Sequence, residues 1–290
     1  MKKVISVIIF VVLLMVGMGI VGYPFVSNIL MGMNSDSEIK TYLDTVSDLD
    51  TAEYDKYYAS AQEYNDSLKG DVVIGDPFEN DFTNDEEYNN LLNFDGTFVM
   101  ACIEIPALQI NYPIYHGTSD EVLNKGIGHM RNTSLPIGGK GTHSVLTGHT
   151  GLSGARLFTD IDKLEQGDVF YIYVMNQTLA YSVDQIKVVE PEDTSDLKID
   201  EDNDYVTLVT CTPYGLNTHR LLVRGTRIPY ADSEKDLQQA HLKESTYNEE
   251  YIRAVVIGAS IMFGILLAYI IFRFVLHTVR KRKNNEKKKH

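Results

Sequence analysis

Cysteine is scarce in this sequence: only Cys102 and Cys211 occur in 290 residues, and tryptophan is absent. Two thiols exclude a small scaffold held together by several disulfides, although they leave room for one. Basic residues are also scarce between Asn34 and Ile252, where 15 lysines and arginines stand against 39 aspartates and glutamates, a net charge of −24. Such a surface repels nucleic acid and anionic lipid. A cation that meets a substrate here is therefore expected in a specific pocket.

Long apolar runs, in contrast, occur at both ends of the chain. One extends from Val4 to about Met31, and Ala254–Phe272 contains no charged residue. The first is longer than the roughly 20 residues needed to cross a bilayer, and the second nearly reaches that length. The first run lacks a good cleavage site, which favours an uncleaved anchor over a signal peptide. Lys2 and Lys3 flank one run and eight basic residues follow the other. Both termini are therefore predicted in the cytoplasm, with the middle of the chain outside the cell membrane.

The exterior segment changes its periodicity near Thr97. Before it, residues 34–70 place apolar side chains mostly every three or four positions, which predicts amphipathic helix packed on a larger body. After it, short β-rich runs separated by turns predict a closed or nearly closed β-barrel or a sandwich. The predicted strands are FVMACIEI, INYPIY, HSVLTG, VFYIYVM, TLAYSVDQIKVVE, YVTLVTC and RLLVRGTRI, and short helices are predicted at NDEEYNNLLNF and near DEVLNKG and ARLFTDIDKL.

The two cysteines have different surroundings. Cys102 lies inside the alternating pattern TFVMACIEIP, which is typical of a buried free thiol. Cys211 lies where the run VTLVTC ends at a turn, a position at which reactive groups are displayed. These settings favour Cys102 in the core and Cys211 in the chemistry over a disulfide between them.

A catalytic Cys211 needs a neighbouring cation or imidazole that favours its thiolate, because a free thiol is only about 3% ionised at neutral pH. Arg220 stands nine residues later, at the start of the next strand, so a hairpin would bring the two side by side. His149 is the favoured imidazole, since a strand leads into it between glycines. The ordinary alternative for every histidine is a hydrogen-bonded structural role. The candidates in the exterior segment are His116, His129, His143, His149 and His219.

The stretch TLVTCTPYGLNTHRLLVRGTRI resembles the active-site signature of sortases, the membrane-anchored cysteine transpeptidases of Gram-positive bacteria, in which TLxTC precedes an arginine. Its YGxNTHRLLVRG continuation is similar to class C, the pilin-polymerising sortases. Three further segments resemble family segments in the same order: CIEIPALQINYPIYHGTS, GHMRNTSLPIGGKGTHSVLTGHTGL and LFTDIDKLEQGDVFYI. The resemblance implies a mainly β fold, a closed sortase-type β-barrel with flanking helices, between two transmembrane helices.

The resemblance also implies roles for particular residues. Cys211 matches the nucleophile that attacks the threonine carbonyl of an LPXTG-like sorting signal. His149 matches the histidine that gives a proton to the leaving amine and later takes one from the incoming amine. Arg220 matches the arginine that holds the substrate or the oxyanion. Asp76, Pro77 and Phe78 stand in the place of the class C lid motif, which implies that Asp76 pairs with Arg220 while Phe78 covers Cys211.

With this resemblance the chain divides into seven segments. They are an N-terminal membrane anchor (1–33), an extracellular helical segment (34–70), the lid with a short helix (71–96), the sortase-type β-barrel catalytic domain (97–232), a juxtamembrane linker (233–253), a C-terminal transmembrane helix (254–272) and a basic cytoplasmic tail (273–290).

Partners and alternatives follow from the same comparison. The implied substrates are pilin subunits with LPXTG-like sorting signals, joined through a lysine amine of another subunit, and the membrane is the other partner. A wall-anchoring sortase or a cysteine protease would share the acylation step and differ in the acceptor. A non-catalytic membrane-tethered binding module is the alternative from another class. No cofactor is predicted, and the acidic charge argues against a nucleic-acid partner. No metal site is predicted either, because the acidic residues lack EF-hand-like spacing.

Overall fold

The computed structural model describes residues 2–68, 75–78, 85–94, 96–152, 154–231 and 245–286. Parts of the predicted lid segment 71–96, of the linker 233–253 and of the basic tail lie outside the described residues. The chain divides into two units, Met1–Tyr23 with Asn248–His290, and Pro24–Tyr247.

The helices and strands have the following bounds. The helices are α1 (Lys2–Ser47), α2 (Thr51–Ser67), α3 (Glu86–Asn89), α4 (Asp120–Leu123) and α5 (Thr246–Glu286). The strands are β1 (Val99–Ile105), β2 (Ile110–His116), β3 (Ile127–His129), β4 (Thr142–Thr147), β5 (Val169–Val174), β6 (Gln177–Val189), β7 (Asp204–Thr212) and β8 (His219–Ile228). Three 3-10 helices connect them, Pro106–Leu108, Ile161–Lys163 and Ser195–Leu197.

The first unit contains the apolar ends of the chain. Within α5, Val255–Arg273 is long and apolar enough to cross a membrane. In α1, Ile8–Ile20 and Gly22–Ser47 reach that length and apolarity only as a pair bent by 41°. The described residues therefore support the predicted C-terminal span, and they support a second only if the bent pair crosses as one. Phe10 and Tyr269 of this unit stack with ring centroids 6.1 Å apart.

The second unit is built on a closed eight-stranded barrel in the order β1-β2-β3-β4-β7-β8-β6-β5. Neighbouring strands are antiparallel except for β2 with β3 and β4 with β7, which are parallel. Closure removes the open edges that would otherwise invite pairing with other chains. The interior is tightly filled: Phe170 stacks on Tyr181 at 5.6 Å, and a Cβ added to Gly225 would come within 2.5 Å of the Phe170 ring.

The helices pack on the outside of this barrel through a few polar anchors. The Tyr42 hydroxyl of α1 donates to the Met100 carbonyl at 3.0 Å and accepts from the Met175 amide at 2.8 Å. Asn65 of α2 accepts from the Leu135 amide at 2.7 Å and donates to the Leu135 carbonyl at 3.2 Å. Each anchor pairs backbone groups that the helix would otherwise bury without partners.

The structure agrees with most of the predicted elements and differs in detail. All seven predicted strands are present, and the barrel rather than the sandwich is confirmed. The three-residue β3 was not predicted, and the stretch ARLFTDIDKL forms only the 3-10 helix Ile161–Lys163. The amphipathic region is divided: α1 ends at Ser47, and Asp50 begins α2 with a capping box to Glu53, which satisfies free amides at that end.

Candidate active site

The β7–β8 hairpin brings Cys211 and Arg220 together. The two residues are directly paired across the antiparallel ladder, as the sequence predicts. The connecting loop turns through Gly215 and Asn217, both in the left-handed region with φ of 77° and 57°. Cys211 is half-buried, and the Arg220 side chain emerges from the same face of the sheet because paired residues share a face.

His149 follows the end of β4, the strand that runs parallel to β7. Thr147 pairs with Val209, and the Gly148 amide then donates to the Val209 carbonyl at 3.1 Å. The Thr210 hydroxyl donates to the Gly148 carbonyl at 2.7 Å, which fixes the end of β4 against β7. His149 follows two residues after Thr147, and its ring lies 5.7 Å from that of Phe78, which also contacts Arg220. Gly148 is required here, because a Cβ would lie within 2.7 Å of the Phe158 ring.

Asp76 and Phe78 lie on this cluster. Asp76 forms a bidentate ion pair with Arg220, with Nε–Oδ1 at 2.9 Å and Nη2–Oδ2 at 2.5 Å. The two residues are only 7% and 9% exposed. Phe78 lies under the Arg220 guanidinium, 5.0 Å from its ring centroid, and its ring is 5.7 Å from that of His149. The segment therefore contacts two of the three predicted catalytic side chains and keeps the guanidinium occupied.

The electrostatics of the site favour a neutral pair. Burial raises the pKa of the Cys211 thiol, the Arg220 guanidinium lowers it, and the Asp76 carboxylate raises it again. Burial lowers the pKa of His149, while the Asp120 carboxylate acts in the opposite direction. With Asp76 in place, the thiol therefore gains less from Arg220 than the unpaired guanidinium would give it.

Cys102 and the other buried histidines have structural settings. Both cysteines are free thiols, and burial raises the pKa of Cys102 to about 12. His129 Nδ1 is hydrogen-bonded to the Tyr88 hydroxyl at 2.7 Å, and burial lowers the pKa of His129 to about 3. His143 lies between the Lys198 carbonyl and the Thr207 hydroxyl, and burial lowers its pKa to about 4. A thiol and imidazoles held in this way do not titrate near neutral pH.

Two residues of this region were missed by the sequence reasoning. Asp120 begins α4, and its carboxylate acts on His149. Thr147 lies two residues before His149, and its buried hydroxyl has no partner among the described residues. Ser119, a typical helix cap, could have indicated that Asp120 begins a helix. The alternation of side chains along β4 could have indicated which face of the strand Thr147 shares. Within the described part of the chain, no three histidine, cysteine or acidic residues cluster in a way that could hold a metal.

Comparison with known proteins identifies a family with the same fold. The sortase domain family matches residues 103–228. The solved structure of Streptococcus pneumoniae sortase C is 46% identical with a TM-score of 0.63, covering 67% of this chain and 97% of that one. Sortase C1 of Streptococcus agalactiae is 48% identical with a TM-score of 0.60, covering 67% of this chain and 98% of that one.

A curated relative, sortase D of Bacillus subtilis (strain 168), is 28% identical over 129 residues, which are 43% of this chain and 62% of the relative. The match to such relatives thus spans about three fifths of their length, whereas the sortase C structures are covered almost entirely. On this evidence the chain belongs to the sortase family and is similar within it to the class C sortases.

Proposed function

We propose that this protein is a membrane-anchored cysteine transpeptidase that cleaves an LPXTG-like sorting signal and transfers the acyl group to an amine. The observation that carries the proposal is the pairing of Cys211 with Arg220, together with the contacts of Phe78 with both Arg220 and His149. These three groups supply the nucleophile, the cation and the acid–base that an acyl transfer through a thioester needs.

The first half-reaction forms the acyl-enzyme. The Cys211 thiolate attacks the carbonyl carbon of the signal's threonine, and the negative charge moves to the carbonyl oxygen beside Arg220. When the tetrahedral intermediate collapses, the C–N bond breaks and His149 gives its proton to the departing amine. The products are a thioester on Cys211 and a released C-terminal peptide.

The second half-reaction returns the enzyme. An amine attacks the thioester carbon, His149 takes the amine's proton, and the C–S bond breaks to restore the thiolate. We propose a lysine side chain of another pilin subunit as this amine. The support comes from similar proteins: the Streptococcus pneumoniae sortase C has pilin substrates, and a group B Streptococcus sortase C is pilus-related.

The segment Asp76–Phe78 is proposed to be a lid over this site. While Asp76 holds the Nε–Nη2 edge of the Arg220 guanidinium, that edge is not available to a substrate oxyanion. Phe78 lies between His149 and Arg220, where a substrate carbonyl would have to enter. Catalysis in this proposal requires the segment to leave.

At the membrane, we propose two spans with the barrel outside and both termini in the cytoplasm. The support is the apolar segment Val255–Arg273, the apolar N-terminal run, and the basic residues that flank them. The strongly acidic middle of the chain carries few of the lysines and arginines that retain a segment in the cytoplasm.

Intact mass spectrometry tests the chemistry directly. The full chain in detergent is incubated with an LPXTG-type peptide, in wild-type form and with Asp76→Ala/Phe78→Ala. We expect an adduct of the peptide minus its C-terminal fragment, more abundant in the double variant. Cys211→Ala should abolish it, and Arg220→Ala should slow its formation by about 10²–10³, as for other oxyanion donors.

A folded protein that forms no adduct with any sorting-signal variant would overturn the transpeptidase proposal and favour a binding module. If the adduct forms, acceptor amines are added to it. Transfer to a pilin lysine supports pilus assembly, whereas transfer only to water or to a wall precursor would place the enzyme with proteases or wall-anchoring sortases.

A further inference from the structure

Thr147, the last residue of β4, presents an unusual buried hydroxyl. The residue is fully buried, and its Oγ1 has no hydrogen-bond partner among the residues that the structure describes. A hydroxyl withdrawn from water without a partner destabilises the fold, so most such groups in native proteins are paired. This one therefore needs an explanation.

The position of Thr147 relates it to the catalytic cysteine. Along β4 it shares a face with Val145, because side chains alternate, and it pairs in parallel register with Val209. Cys211 lies two residues beyond Val209 on that same face of β7. Thr147 is thus about 6.6 Å before the level of Cys211, at two residues of strand rise.

This face of the barrel has an apolar floor that Phe78 covers. The floor consists of Met130, Val145, Leu197, Val209 and Leu222, with Phe78 packed against it. Departure of the proposed lid would uncover the floor next to Cys211. It would then be an apolar groove with the catalytic thiol at one end.

An extended peptide in this groove would leave its backbone carbonyls in need of donors. The side chains of the floor are apolar and offer none. The peptide advances about 3.3 Å per residue, so a carbonyl about two residues before the scissile threonine would reach the level of Thr147. The threonine hydroxyl is a donor held at that level by its own strand.

We propose that Thr147 is a substrate-positioning residue, whose hydroxyl donates a hydrogen bond to a backbone carbonyl of the sorting signal on the N-terminal side of the scissile threonine. This inference rests on the proposed transpeptidase function and adds a contact to it. It also explains why a hydroxyl is buried without a partner while Phe78 occupies the groove.

Ser144 provides a matched control on the same strand. Its hydroxyl is also buried and without a partner in the described part of the chain. It shares the opposite face of β4 with Leu146, whose side chain belongs to the main core of the barrel. Removing this hydroxyl changes the same kind of group in the same strand, away from the groove.

The experiment uses the full chain with the open lid, Asp76→Ala/Phe78→Ala, and adds Thr147→Val, Thr147→Ser or Ser144→Ala. Acyl-enzyme formation from an LPXTG-type peptide gives KM and kcat, and peptide binding is measured by fluorescence anisotropy in the Cys211→Ala form. We expect Thr147→Val to weaken binding and raise KM about fivefold, the effect of one lost hydrogen bond, with kcat little changed. Thr147→Ser and Ser144→Ala should resemble the parent.

Unchanged KM in Thr147→Val, or equal losses in Thr147→Val and Ser144→Ala, would overturn the contact while acylation by the parent keeps the proposed function. A fall in kcat with unchanged binding would also overturn it, because it would indicate an effect on His149 instead. If the parent neither binds nor acylates with any sorting-signal peptide, both the contact and the proposed function fail. Thermal unfolding of each variant confirms that it is folded, and Thr147→Val should be no less stable than the parent.

Discussion

A cysteine reacts in proportion to its thiolate fraction, and the surroundings of Cys211 affect that fraction in opposite directions. Burial and Asp76 raise the pKa of the thiol, and Arg220 lowers it. At Cys102 burial alone acts on the thiol and raises its pKa to about 12. The same residue type is thus a structural apolar group in β1 and a candidate nucleophile in β7.

Asp120 is predicted to tune the imidazole. It lies on α4, which leads into β3, and β3 pairs with the end of β4 that carries His149. Because its carboxylate raises the pKa of His149, Asp120→Asn should lower that pKa further. His149 must be protonated to release the amine, and its protonated fraction falls as the pH rises through its pKa. Since the pKa of the Cys211 thiol lies above that of His149, the alkaline limb of the acylation rate belongs to Cys211 and the acid limb to His149. Asp120→Asn should therefore move the acid limb to lower pH and reduce the maximal rate, because the thiolate–imidazolium form becomes rarer.

The pH profile of kcat/KM in the open-lid form measures this effect. Glu121→Gln is the control, since it removes the same charge from the neighbouring exposed position of α4. An identical acid limb in Asp120→Asn and the parent, or an equal shift in Glu121→Gln, would count against a specific role for Asp120.

At the scale of elements, the contact between the proposed lid and β8 can be tested as a barrier to the Cys211 thiol. The Asp76–Arg220 pair contributes two charged hydrogen bonds in a buried setting, and such bonds contribute about 1.5–3 kcal/mol. Asp76→Ala should therefore increase opening, and with it the alkylation rate of Cys211, by about tenfold or more. Phe78→Ala should act in the same direction by exposing the thiol.

Alkylation followed by mass spectrometry gives these rates. Cys102 serves as an internal reference because its buried thiol should stay unmodified in the folded protein. Asp202→Ala, which breaks the exposed pair with Lys140 at 2.9 Å, is the control for loss of a carboxylate. If neither lid variant alkylates faster than this control, the segment is not a barrier to the thiol.

The sequence predicts those elements best that have a local signal. Period-two runs indicated seven of the eight strands, but β3 has only three residues, with Gly128 at its centre, so no alternation could mark it. The pairing of Cys211 with Arg220 was predictable because a hairpin brings residues of near sequence positions together. His149 reaches the site through the parallel β4–β7 pairing, which joins residues about 60 positions apart and which periodicity does not reveal. Its position between glycines made His149 the favoured candidate, and the family resemblance then selected it among the histidines.

In the helical regions the apolar spacing predicted helix, but it predicted neither the helix boundary nor the buried face. Nothing in the sequence between the apolar run and residue 47 stops a helix, so α1 continues from one into the other. The break came from a local cap at Asp50, which the apolar spacing alone could not place. Leu43, one of the apolar residues spaced three or four apart in residues 34–70, is 43% exposed, whereas Tyr42 beside it is buried and anchored to Met100. Packing against the barrel decided which face of the helix is inside.

For the whole molecule, the distribution of charge is the strongest argument about placement. The segment 34–252 has a net charge of −24, and eight basic residues follow residue 272. The positive-inside rule favours retention of the basic tail in the cytoplasm, because lysines and arginines beside a span determine its orientation. The acidity of this segment also leaves the few cations of the barrel, Arg220 among them, as the exceptions on which an oxyanion could be bound.

This arrangement can be measured by labelling in protoplasts. In a Cys102→Ala/Cys211→Ala background, single cysteines are introduced as Asp202→Cys on the barrel, as Asn284→Cys in the tail and as an added residue before Met1. A membrane-impermeant maleimide should label the first in intact protoplasts and the other two only after permeabilisation, because the basic flanks hold both ends inside. Labelling of the tail from outside would overturn the two-span arrangement. Labelling of the N-terminal cysteine from outside, with the tail protected, would leave α5 as the single anchor and remove the bent N-terminal pair from the membrane-crossing part of the chain.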